Sequence, residues 1–76
     1  MATLVVHFAY PSSPYADRMH KPDGCWYIED SSSPHEFATL AIADTERQAI
    51  NWAYAQIKAG LATWDLFWLN AKNRGM

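Results

Sequence analysis

The stretch Thr45–Gly60, TERQAINWAYAQIKAG, decides how this chain folds. Thr45 followed three residues later by Gln48 is a capping-box arrangement. The threonine hydroxyl accepts from the backbone N–H of Gln48, whose side chain reaches back towards the helix start. Glu46 in the first turn and Lys58 in the last complement the helix dipole. Gly60 followed by Leu61 has the composition of a Schellman stop, since glycine takes positive φ at no steric cost. Ile50, Ala53, Tyr54, Ile57 and Leu61 recur at helical spacing and are expected to form one buried face.

Strand patterns lie upstream. In Thr3–Tyr10 (TLVVHFAY), Leu4, Val6, Phe8 and Tyr10 alternate with Thr3, Val5, His7 and Ala9, the period of a pleated strand. Pro11-Ser-Ser-Pro14 ends it, because proline cannot donate to a ladder, and residues 11–22 read as an irregular connection. The bare PxxP spacing of Pro11 and Pro14 is better read as loop closure than as a polyproline-II ligand. Pro22-Asp23-Gly24 is a turn by composition. Cys25–Asp30 (CWYIED) follows as a strand with Trp26 and Ile28 on one face, Tyr27 and Glu29 on the other. Glu36–Ala43 (EFATLAIA) reads as a third strand, although its alanines also suit a helix start.

Beyond the helix, Thr63–Asn70 (TWDLFWLN) alternates Trp64, Leu66 and Trp68 against Asp65, Phe67 and Leu69, and is expected to be a final strand. It is apolar on both faces, more than a sheet with one wet face requires. The tail, residues 71–76, is expected to fray. These elements predict a single α+β domain over residues 1–76. One helix lies across a three- or four-stranded, mainly antiparallel sheet in the order β-β-β-α-β.

Composition narrows the class of object. Of 76 residues, 50% are apolar and 14% aromatic but only 18% charged, which excludes a disordered chain. A domain this small buries about 60% of the surface its unfolded chain exposes, so it needs a rich core, a staple or association. Cys25 is the only cysteine, so no internal disulfide can form. A lone thiol fits a reducing compartment. With no signal-peptide pattern and no apolar run of spanning length, a cytoplasmic protein without a membrane segment is expected.

Charge is unevenly spread. The net charge is −2, yet residues 17–46 hold seven acids against Arg18 and Lys21, while 47–76 hold four bases against Asp65. The six bases form no cluster, so direct binding of nucleic acid is not expected. The acids, Glu29, Asp30 and Glu36 among them, read either as solvated charges on a hairpin edge or as a face for a basic partner.

No constellation of catalytic residues stands out. His7, His20, Cys25 and His35 are separated by gaps of twelve, four and nine residues, unlike the paired knuckles of structural zinc. His20, Cys25 and His35 are therefore weak candidates for a metal or thiol site. A buried cysteine acting as a small hydrophobe is the simpler reading of Cys25. There is no glycine-rich phosphate loop or dinucleotide fingerprint, and no cofactor is expected.

On the helix, Trp52 lies roughly 150° from the centre of the Ile50/Ala53/Tyr54/Ile57 face at about 100° per residue. Gln48, Ala55, Gln56 and Ala59 share its side. An uncharged stripe of small residues around a tryptophan resembles the anchor of an interface. The competing reading is that Tyr15 or Met19, from the 11–22 connection, covers Trp52. The expected function is accordingly a small non-enzymatic protein-binding module, an inhibitor or adaptor. It would dock through Gln48, Trp52, Ala55, Gln56 and Ala59 and the acidic residues Glu29, Asp30 and Glu36. Its partner would be a protein, one with a basic, nucleic-acid-facing groove. Size and architecture alone suggest the analogy with virus- or plasmid-encoded blockers of host machinery such as anti-CRISPR proteins. The alternatives are a homodimer built on the same apolar surface, or a small His/Cys metal or thiol enzyme.

Overall fold

Val6 faces Ile28 across the centre of the sheet, in the antiparallel pairing of β1 (Ala2–Ala9) with β2 (Cys25–Asp30). The structure, a computed structural model, describes residues 1–34 and 38–73. β3 (Thr39–Ala43) pairs antiparallel with β2, and β4 (Ala62–Trp64) pairs parallel with β1, giving the strand order β3-β2-β1-β4. The fold is α+β and two-layered, as the sequence predicts. The parallel β1–β4 pair makes the sheet mixed.

Alternation along β1 and β2 sorts their side chains onto two faces, as expected from a period of two. Leu4, Val6 and Ile28 are buried together with Ala62 beneath α2 (Glu46–Lys58), which contributes Ala49 and Ala53. On the other face Ala9, Cys25 and Tyr27 form a second cluster with Ala16.

The ends of α2 follow the local signals closely. Thr45 Oγ1 accepts from the Gln48 N–H at 3.1 Å. The Gln48 carboxamide oxygen accepts from the Asp44 N–H at 3.1 Å, one residue beyond the usual capping-box partner. At the other end the Gly60 N–H donates to the Ile57 carbonyl and the Leu61 N–H to the Gln56 carbonyl, with Gly60 at φ 77°, which is a Schellman motif.

Three segments differ from expectation. The 11–22 connection contains a short helix, α1 (Pro14–Arg18). Ser13 caps it by accepting from the Ala16 N–H at 3.1 Å, and Pro14 occupies the first turn, where a missing N–H costs nothing. The Ser-Pro pair that reads as a strand breaker is therefore a helix start. The third strand begins at Thr39; of the expected range 36–43, residues 36 and 37 lie outside the described part.

The stretch expected as a strand over 63–70 splits after Trp64. Asp65 ends β4 and caps α3 (Leu66–Asn73), its carboxylate accepting from the Trp68 N–H at 3.0 Å and its carbonyl from the Leu69 N–H at 2.9 Å. Across the junction of the two elements Trp64 and Trp68 stack at 5.3 Å. Residues 71–73, expected to fray, belong to α3, and Lys72 bonds Glu46 of α2 at 3.0 Å.

Candidate groove between the edge strand and the long helix

Seen along its axis, α2 sits on alanines. Ala49 and Ala53 are fully buried, while Ile50, Trp52 and Ile57 pack against the core from the flanks. Tyr54 and Leu61, expected inside, are 58% and 63% exposed. The buried stripe is thus turned by roughly 60° from the expected face, at about 100° per residue. Sterics supply the reason: an alanine line lets the helix axis approach the sheet, and larger side chains are pushed to either side.

This rotation relocates Trp52. It is not on the outer face of α2 but half-buried at its flank, in contact with the core cluster. The covering reading fails as well. Met19 packs with Ala9, Ala16, Cys25 and Tyr27, and Tyr15 stacks on Tyr27 at 6.2 Å, on the sheet face away from α2. Trp52 instead walls a groove of about 360 Å³ between α2 and β3. Among the described residues the groove is lined by Ile28, Ala41, Ile42, Ala43 and Gln48, with Lys21 and Asp44 at its polar end. Lys21 and Asp44 approach to 3.9 Å, a long and exposed ion pair that contributes little.

β3 forms one bank of this groove and is an edge strand. The Asp30 N–H donates to the Ala38 carbonyl at 3.1 Å, so the β2 backbone groups directed at β3 belong to Trp26, Ile28 and Asp30. Their partners Ala41 and Ala43 point inward, and alternation turns the backbone of Ile42 outward, past a register shift beside Ile28 and Glu29. Among the described residues the groove therefore joins an apolar floor, an indole wall and the outer edge of the sheet.

The other expected site residues scatter. Gln48 lines the groove, Ala55 and Ala59 are exposed on the outer side of α2, and Gln56 is half-buried. Glu29 lies on the sheet face opposite the groove, in register with Val5. Asp30 is engaged within the fold: it accepts from the Ser32 hydroxyl at 2.6 Å and the Thr3 N–H at 3.0 Å, and these bonds hold its carboxyl below the usual range. Glu36 and His35 lie outside the described residues.

Of the weak metal or thiol candidates, His20 and Cys25 lie among the described residues. His20 takes φ 59° and ends α1, with its N–H on the Asp17 carbonyl and the Lys21 N–H on the Ala16 carbonyl. Cys25 is buried with Ala9, Ala16 and Tyr27, and burial pushes its thiol up. Among the described residues no group of three or more His, Cys, Asp or Glu could hold a metal ion, and no helix is long and apolar enough to cross a membrane.

A second hollow, of about 140 Å³, lies on the opposite flank of α2 against α3 and is walled by Tyr54, Trp64 and Trp68. Tyr54 meets Trp64 edge-on at 5.4 Å, and Lys72 sits 5.9 Å over the Trp68 ring. The outward side of α3 carries Leu66 and Phe67, which are 69% and 88% exposed. Sequence reasoning missed the groove's β3 bank. Its one local signal is the alternation of small and large residues in Ala41-Ile42-Ala43. Comparison with known protein families, curated proteins and solved structures finds no match to this chain.

Proposed function

We propose that this protein is a small non-enzymatic protein-binding module, acting as an adaptor or inhibitor, that receives a segment of its partner in the groove between β3 and α2. The observation that carries the reading is the position of Trp52. Its ring braces the core on one side and walls an apolar groove of about 360 Å³ on the other. A tryptophan held by the core is a rigid anchor that loses little conformational entropy on binding, as interface hot spots require. Among the described residues the ionisable groups lining the groove are Lys21 and Asp44, both exposed.

The test is selection from a displayed library of random peptides against the protein, repeated on two groove variants. Ala41→Leu fills the floor, and Gln48→Trp covers the mouth from an exposed position that leaves the core alone. Support would be binders that shift the amide signals of Ala41, Ala43 and Trp52 and weaken about tenfold or more on either variant, a loss typical of an anchor contact. Binders indifferent to both variants, or none at all, would overturn the reading.

Leu66 and Phe67 favour a second reading, self-association through the outer side of α3. Light scattering on a sizing column decides it. A dimer that Phe67→Ser converts to monomer would support this reading, and a monomer at all concentrations would sink it.

A further inference from the structure

We infer that residues 66–69 form a two-state segment: α3 opens into a strand that prolongs β4 along β1, and the folded protein exchanges between the two forms. The first support is the pattern of the chain. Trp64, Leu66 and Trp68 alternate with Asp65, Phe67 and Leu69, the period of a strand, yet β4 stops at Trp64. The helical form uses this apolar pattern poorly. None of the residues of α3 is buried, and Leu66 and Phe67 are 69% and 88% exposed.

The second support is the register. β4 runs parallel to β1, with Ala2 beside Ala62 and Leu4 beside Trp64. Continued without a shift, the pairing sets Val6 beside Leu66, His7 beside Phe67 and Phe8 beside Trp68. Leu66 would then share with Val6 the sheet face that α2 covers. Trp68 would join the ring contact of Phe8 with Trp26, and Phe67 that of His7 with Tyr27 on the other face.

The third support is that two acceptors keep a partner in both forms. The Leu4 carbonyl already accepts from the Asp65 N–H at 3.0 Å. The same parallel pattern two positions on joins the Val6 carbonyl to the Phe67 N–H, in place of the Trp68 indole that donates to it at 3.1 Å. The Asp65 carbonyl would exchange the Leu69 N–H, at 2.9 Å in the helical form, for the Val6 N–H. The contacts given up are the Asp65 cap, the Trp64–Trp68 stack and the Lys72–Glu46 pair. That pair is exposed on both sides and contributes little.

The test is backbone relaxation dispersion on the whole protein, which reads μs–ms exchange and the chemical shifts of the minor form. Residues 66–69, Val6 and Phe8 should exchange together, with strand-like carbonyl shifts at 66–69 in a form populated at about 0.1–10%. Asp65→Ala removes the cap and should raise that population about fivefold. Phe67→Ala replaces an exposed strand former by the best helix former and should lower it about threefold. Asp65→Ala combined with Trp68→Phe loses the cap and the indole bond together and should raise it about tenfold or more.

Three outcomes overturn the inference. A minor form with random-coil shifts is a fraying helix and not a strand. Exchange at 66–69 that leaves Val6 and Phe8 unmoved means that the open segment does not pair with β1. No exchange even in the double variant means that the helix is the one folded state of these residues.

Discussion

The indole N–H of Trp68 donates to the carbonyl oxygen of Val6 at 3.1 Å, joining α3 to β1 across 62 positions of chain. β4 accompanies β1 only as far as Leu4, whose carbonyl accepts from the Asp65 N–H at 3.0 Å. Beyond that point the edge of β1 is covered by a side chain in place of a strand, one of the ways proteins protect a sheet edge. Trp68→Phe keeps most of the stacking on Trp64 and loses the bond, so it should cost about 1 kcal/mol. Trp68→Ala loses the ring as well and should cost about 2–3 kcal/mol. Urea midpoints of the two variants check this, and an unchanged midpoint for Trp68→Phe would remove the indole bond from the account.

Asp65 should make the fold sensitive to acid. The Trp68 N–H, then the Ser31 hydroxyl, hold its carboxyl below the usual carboxylate range. A carboxyl whose folded pKa is depressed contributes stability above its unfolded pKa and loses it as pH falls through the folded one. Asp30 acts with the same sign. The melting temperature should therefore drop on acidification below the ordinary carboxylate range. Asp65→Asn should show a smaller drop, and an identical acid profile would mean that this cap is not titrating.

Two glycines with positive φ should respond differently to alanine. At Gly24, φ is 89° and a Cβ would meet the Ala9 carbonyl oxygen at 2.8 Å, a backbone contact that cannot yield cheaply. At Gly60, φ is 77° but nothing lies within 4 Å of an added Cβ. Gly60→Ala should cost about 1 kcal/mol, the left-handed penalty alone. Gly24→Ala should cost more, about 2–3 kcal/mol, since strain and a clash add. Thermal melts of the pair decide the order, and equal losses would contradict the close approach at Gly24.

Cys25 should be inert while the protein is folded. It is buried among Ala9, Ala16 and Tyr27, and burial raises its thiol above the ordinary value, so thiolate is scarce. Labelling by a thiol reagent should follow global unfolding and accelerate with urea in step with the loss of secondary structure. Fast labelling of the native protein would restore a thiol role for this residue.

The legible parts of this molecule are those whose physics closes within a few residues. The two strands show their faces through the alternation of near neighbours, and the Thr45 cap, the Gly60 stop and the Pro22–Gly24 turn satisfy their backbone groups locally. The Lys21 carbonyl accepting from the Gly24 N–H at 2.8 Å is one instance. The candidate site was less legible. Trp52 stands out by composition, but its surroundings depend on Ala41 and Ala43, which come from a strand elsewhere in the chain and whose alternation with Ile42 does not say what they face.

By itself the sequence determined an α+β domain, the spans of β2 and α2 and the sorting of β1 and β2 side chains onto two faces, because periodicity and capping are properties of neighbours. Only the tertiary structure decided the rotation of α2, the parallel pairing of β4 and the helical state of residues 66–73. Helix rotation depends on which side chains can pass under the axis, and that is set by the sheet beneath. A stretch such as TWDLFWLN satisfies strand and helix patterns equally well. What settles it is the Asp65 cap together with a distant carbonyl, that of Val6, waiting for the Trp68 indole.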